Sequence, residues 1–495
     1  MTNGAGYTVR SRLYSFLRSR WGWRVGFALL LALGAPRIAR QVRACFCPPA
    51  EPKTVGYSFD LDLTMGWVDK FSKTGVLYDT TGFDPYGPVT TTMFKYPPPH
   101  MAFMMVMLPS SSRDVAPATA VPVAGGKAPS PQTRAERMAR RAEAGRVAHL
   151  RAYAQARPLV ILYLACLVAA LGLVLATLKP GWKLGGLIIL VFLNWQPHWE
   201  SMEGPGVESL LLLLLVLSLA PLKAGRVSRG GIPIGLAGAL KVYPWVMVFP
   251  FLLSRRGLRV FLGVLVGAAL AFAVATCVVP PRISLEYLTR ILPRIGGGSG
   301  LRENLSALGN FSRLAYYLID RHQAPTNLPL GVRELVRGFP PPPAVLLTLA
   351  LWLALCLPVG VLTIRALRRT ASGMPERNDL LRLGLSVSLV ILLMPTAWSA
   401  YQTLLLVPLA LGIALAPPPG RAKLTWSLLL YAGGAGAVNV GTSPLPVVVV
   451  RSLIPLALWL ACLRLLDSKS PGPWWSGADL AGPCSSPGDP VRSAG

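Results

Sequence analysis

The chain has 495 residues, 53% hydrophobic and only 14% charged, and carries a formal net charge of +28. Its arginines lie in short clusters between apolar runs, as in the cytoplasmic loops of a membrane protein, so the basic excess does not indicate a nucleic-acid partner. The seven cysteines show no metal-ligand spacing, which argues against a cysteine-based metal centre.

In chain order, the basic stretch RSRLYSFLRSRWGWR precedes an apolar run at residues 25–38. This arrangement sets the N-terminus inside and the following segment outside. That segment, YSFDLDLTMGWVDKFSKTGVLYDTTGFDP, gathers Asp60, Asp62, Asp69, Asp79 and Asp84 in a chain poor in carboxylates. KYPPPHMAFMMVML then reads as a helix opened by proline and returning inward, because proline suits a first helical turn. Residues 110–157 change character. Their first half is an Ala/Pro/Gly/Ser-rich linker and their second a basic, alanine-rich helix former. We read them as a cytoplasmic insertion that can touch the membrane surface through its arginines.

Further apolar runs follow at residues 158–178, 184–195, 207–222, 231–253, 258–280, 343–366, 380–396, 400–416, 424–440 and 446–466. About 20 apolar residues span a bilayer core of about 30 Å, so the fold class is all-α and polytopic, with about 10–13 transmembrane helices. They form one domain over residues 1–466, followed by a Gly/Pro/Ser-rich tail at 467–495 expected to be disordered. KVYP, residues 241–244, interrupts the run at 231–253. A continuous helix would bury Lys241 in mid-membrane. Two short legs with a turn at KVYP would lift it to the outer face, and the basic clusters KAGRVSRG and SRRGLR at both ends of the run favour the turn.

Polar groups at or beside membrane depth are costly and are functional candidates by default. Here they are Asp60 and Asp62; His198, Glu200, Glu203 and Glu208; Lys241 with Tyr243; and Trp398 with Tyr401. Nearly all fall on the outer side of the expected topology. The competing readings are solvated loop carboxylates and a lysine that reaches the headgroups along its own alkyl chain. His198 has no second histidine nearby, so no metal is expected.

Six motifs in order resemble glycosyltransferase family 87, the polyprenol-phosphate-mannose-dependent mannosyltransferases of GT-C membrane fold. The first is DLDLTMGWVDKFSKTGVLYD, with an aspartate-leucine, a glycine fifteen residues on, and Leu-Tyr-Asp just after. FKYPPP, GVES, KVYP, ENLSALG and PTAWSAYQTLLLVPL follow, so the resemblance covers roughly residues 55–415. It departs from the family where Ala400 and Tyr401 replace histidines, and where Gly206 and Val207 replace a polar pair.

The resemblance implies that Asp60, at the family's spacing, is the catalytic base. Lys241, Tyr243, Arg294 and Arg302 would bind the donor phosphate, and Asp62, Glu208, Asn304, Trp398 and Tyr401 would contact substrate. The expected partners are a polyprenyl-phosphate sugar donor, a glycolipid or glycan acceptor and membrane lipids, with no cofactor and no metal. The expected location is the cell membrane, with the site facing the periplasm or exterior. The alternative is a transporter or flippase of lipid-linked glycans, whose hallmark would be internal repeats with helices broken at the midplane. No repeat is legible.

Overall fold

The computed structural model describes residues 57–78, 96–108, 157–202, 207–292, 304–319, 342–370, 374–438 and 445–468, with four isolated helical positions, Ala28, Ala35, Ala39 and Arg43. Apart from those isolated positions, the first apolar run, the insertion before residue 157, Glu203, Arg294, Arg302 and the tail beyond residue 468 therefore lie outside the described residues, as do the side chains of Asp60, Asp62 and Glu200.

The described elements are helical throughout, with one isolated backbone bridge between Asn304 and Trp398. Helix α1 is Tyr57–Thr74, α2 Pro98–Met107, α3 Arg157–Leu178, α4 Trp182–Asn194, α5 Gln196–Met202, α6 Glu208–Leu217 and α7 Leu219–Lys223. Then come α8 Val227–Leu240, α9 Tyr243–Val246, α10 Phe249–Leu252, α11 Gly257–Ala275 and α12 Pro281–Glu286, which runs into a wider π turn at Tyr287–Ile291. The chain ends with α13 Ala307–Ile319, α14 Pro343–Arg369, α15 Pro375–Leu393, a 3-10 turn at Ser399–Leu405, α16 Leu406–Leu415, α17 Lys423–Gly436, α18 Leu445–Ser452 and α19 Ile454–Asp467.

Among the described residues, four stretches are long and apolar enough to cross a membrane: Arg157–Leu178, Gly257–Ala275, Pro343–Arg369 and Val448–Asp467. Three shorter apolar stretches, Trp182–Asn194, Tyr243–Leu252 and Ser399–Leu415, accompany them. Fewer full spans are seen among the described residues than the apolar runs alone suggest, because several runs are interrupted. The run ending at 253 breaks after Leu240, the run from 400 opens as a 3-10 turn, and the last run turns at Leu453 ahead of Pro455.

Burial separates centre from periphery. Nearly every residue of α15 and all of α16 are buried, so these helices are enclosed by the rest of the bundle. Helix α11 instead exposes Leu258, Leu262, Leu265, Val266, Leu270 and Val274, and α14 exposes Leu346, Leu353, Leu357 and Val361. Such broad apolar faces suit a lipid boundary, not water.

Helices α8 and α11 meet through glycines from both sides. A Cβ on Gly231 or Gly235 would lie 2.2 Å from the Val260 carbonyl oxygen or 2.1 Å from that of Val264. One on Gly263 or Gly267 would lie 1.9 Å from the Ser228 oxygen or 2.1 Å from that of Ile232. The two backbones are therefore nearly in contact, the usual means of close helix packing where lipid removes the hydrophobic incentive. The pairing of 228 with 263 and 232 with 267 makes the helices parallel. The short legs α9 and α10 between them carry the chain back along α8.

The return brings the two basic clusters to the same end, as the sequence suggested. Gly225, at φ +70°, lies beside Glu376 and Arg256. Arg256 reaches Glu376 (3.2 Å) and Asp379 (3.7 Å), and Arg382 reaches Asp379 (2.7 Å). Lys241 caps the other end of α8, about 20 Å away for a helix of this length.

Candidate functional site

The site is built where α8 stops. Lys241 leaves helical geometry (φ −152°, ψ 125°), and Pro244 opens α9, its missing N–H and fixed φ suiting a helix start. The expected turn at KVYP is therefore present. At that turn Lys241 is only 7% exposed, enclosed by the protein. Its Nζ donates to Oε1 of Glu208, itself 1% exposed, in the first turn of α6. Two groups drawn from water are tolerated here because each neutralises the other.

Aromatic faces close around the ammonium group. Nζ lies 3.9 Å from the ring centre of Tyr401, 5.7 Å from Tyr96 and 6.0 Å from Tyr243. Ring faces attract a cation through their quadrupole, so Tyr401 is its principal π partner. Tyr243 stacks on Tyr401 at 5.1 Å, and His100 stacks on Tyr96 at 4.3 Å. Nδ1 of His100 lies 3.2 Å from the Leu240 carbonyl, an acceptor only, so that nitrogen carries the proton. Beside Glu208, the Ser209 hydroxyl lies 3.3 Å from Nδ1 of His198. Oε2 of Glu208 and the Tyr243 hydroxyl are buried without a hydrogen-bond partner among the described residues.

The 3-10 turn that carries Tyr401 is pinned from behind. Buried Arg451 donates from Nε to Oε1 of Gln402 (3.0 Å) and from Nη1 to the Val438 carbonyl (2.8 Å). The Trp195 indole donates to the Gln402 carbonyl (2.9 Å). Asn304 ties the neighbouring segment to the same end: its Nδ2 donates to the Pro395 carbonyl (3.2 Å), and its Oδ1 accepts from Ala397 N–H (2.8 Å). Both ends of that amide are thus engaged with backbone, and Trp398 pairs with Asn304 through the main chain.

Asp60 and Asp62 both lie on α1. Beyond α1, the Tyr78 hydroxyl donates to the Tyr96 carbonyl (2.8 Å). Burial pushes the Tyr78 phenol up from its ordinary pKa, helped by nearby Tyr287 and Glu286, so it remains a neutral donor.

Of the sequence candidates, the fold brings Glu208, Lys241, Tyr243 and Tyr401 into direct contact. Asn304 and Trp398 flank them, and Arg294 and Arg302 lie outside the described residues. Tyr96 and His100 complete the cluster and were not selected from the sequence, although Tyr96 sits inside the FKYPPP motif. The signal was a histidine directly after three prolines at the start of an apolar helix.

No curated protein and no solved structure matches the chain. The model of Glycosyltransferase family 87 matches residues 147–396, half of the chain, a stretch that holds Glu208, Lys241, Tyr243 and Asn304. The chain belongs to glycosyltransferase family 87 and is a multi-pass helical membrane glycosyltransferase.

Proposed function

We propose that the protein transfers a hexose, mannose in the first instance, from a polyprenyl-phosphate donor to a glycolipid or glycan acceptor at the Lys241 end of the bundle, facing the periplasm or exterior. The observation that carries this reading is the buried Lys241–Glu208 pair, set among Tyr96, Tyr243 and Tyr401 at one end of a family 87 bundle.

In the proposed reaction the acceptor hydroxyl oxygen attacks the anomeric carbon while the bond from that carbon to the phosphate oxygen breaks. Polyprenyl phosphate leaves with the bonding electrons, and the configuration inverts. The hydroxyl proton passes to Asp60 as general base. A phosphate leaving group needs no strong acid. It does need cations and donors, and charge-assisted contacts are the stronger class. Lys241 has three N–H donors, one of them directed at Glu208. In our reading Glu208 keeps the ammonium charged and fixed while the remaining donors, with Tyr243, Arg294 and Arg302, take up phosphate. Tyr401, Trp398, Asn304 and Asp62 are assigned to the sugar and acceptor. The family's motif spacing supports the choice of Asp60 over Asp62 as base.

Membranes containing the protein, incubated with labelled polyprenyl-phosphate mannose, should form a lengthened labelled lipid, whereas labelled nucleotide-mannose should not label it directly. Label transferred from the nucleotide sugar alone would discard the lipid-donor reading.

A further inference from the structure

A cavity of about 530 Å³ lies apart from the Lys241 cluster, between the end of α1 and the segment formed by α12 and its π turn. Val76, Tyr78, Arg282, Glu286, Thr289 and Arg290 are among its lining residues. Its position is fixed by the fold. Helix α11 runs parallel to α8, so α12 follows at the end that carries Lys241. Tyr78, in the cavity wall, hydrogen-bonds the Tyr96 carbonyl, and the Tyr96 ring faces Lys241.

The lining segment has the make-up of an interfacial helix. Ile283, Tyr287 and Ile291 form its buried face, while Leu285 is 64% exposed and Leu288 44%. Exposed leucines beside exposed Arg282 and Arg290 suit an element lying in the headgroup plane, leucines toward the acyl chains and arginines toward phosphates. Neither arginine has an ion-pair partner among the described residues. Between them lie the half-buried Glu286 carboxylate, an acceptor for hydroxyls, and the Thr289 hydroxyl, which donates to the Leu285 carbonyl and keeps its oxygen free to accept.

We propose that this cavity seats the headgroup of an anionic membrane lipid whose phosphate is flanked by hydroxyls. Arg282 and Arg290 would hold the phosphate, Glu286 and Thr289 would accept from the hydroxyls, and the acyl chains would leave over Leu285 and Leu288. Two cations against one carboxylate leave the site net positive, which selects a phosphodiester anion over a neutral sugar or a zwitterionic lipid. The proposal concerns lipid retention and stands independently of the donor reading, since it is measured without any transfer.

The test is retention of phosphatidylglycerol against phosphatidylcholine by the full chain, read by native mass spectrometry after release from mixed-lipid nanodiscs. The double variant Arg282→Gln/Arg290→Gln should lose phosphatidylglycerol preference by about tenfold or more, each arginine near the surface being a substantial electrostatic anchor. Arg368→Gln/Arg369→Gln, at the far end of α14, should keep the preference, and excess soluble glycerol phosphate should not displace the lipid. Equal loss in both double variants would reduce the effect to general surface charge and overturn the proposal. Full displacement by glycerol phosphate would do the same, in favour of a soluble anion.

Discussion

Lys241 and Glu208 are thirty-three positions apart in sequence and form one buried ion pair. Breaking such a pair by removing one member leaves a stranded charge, at a cost of about 3–5 kcal/mol, whereas removing both charges costs far less. Lys241→Gln should therefore lower the unfolding temperature in detergent well below that of the double variant Lys241→Gln/Glu208→Gln, and both should lose transfer. Equal unfolding temperatures would mean that the pair carries no stability. Tyr401 permits a finer distinction: Tyr401→Phe keeps the ring 3.9 Å from Nζ, while Tyr401→Leu removes it. The leucine variant alone should lose donor affinity, by about three- to thirtyfold for a desolvated cation–π contact. Titration of the labelled donor against the two variants separates ring from hydroxyl. The lysine was legible in the sequence because a charge beside proline interrupts an apolar run. Glu208, Tyr243 and Tyr401 were legible as candidates too, but their contact with it, and the part of Tyr96, were not, because that contact is made only when α2, α6, α8 and the turn at Ser399–Leu405 converge.

Among the helices, the break after Leu240 could be read from KVYP, since proline and a charge punctuate a run in any context. The parallel packing of α8 on α11 could not. Gly231 and Gly235 face Gly263 and Gly267, and spacing alone does not say which small-residue stripe meets which. Gly235→Ala should destabilise the bundle by about 1–3 kcal/mol, because the new methyl meets the Val264 carbonyl and the backbones must part. Gly360→Ala, in α14 with nothing within 4 Å of a new Cβ, should be neutral or stabilising by about 0.5–1 kcal/mol through a better helix. Thermal unfolding of the two variants side by side reads this contrast, and equal destabilisation would contradict the close approach.

For the molecule as a whole, composition and apolar runs sufficed to identify a helical membrane protein, and the ordered motifs sufficed for the family, which the match over residues 147–396 now shows. The number of full spans was harder to read, because apolar runs do not reveal where a helix turns back inside the protein. The insertion at 110–157 falls outside the motifs, and replacing residues 112–148 with a short Gly/Ser linker should retain transfer in membranes. An inactive but well-inserted deletion protein would give the insertion a role in the reaction. The most direct measurement is a single-turnover assay of the whole chain in proteoliposomes, following labelled polyprenyl-phosphate mannose with wild type, Asp60→Asn and Asp62→Asn. The account predicts a new labelled lipid from wild type, a rate lower by roughly 10²–10⁴ for Asp60→Asn with donor still bound, and a far smaller loss for Asp62→Asn. Undiminished transfer by Asp60→Asn, or donor crossing the bilayer intact with no new bond formed, would contradict it.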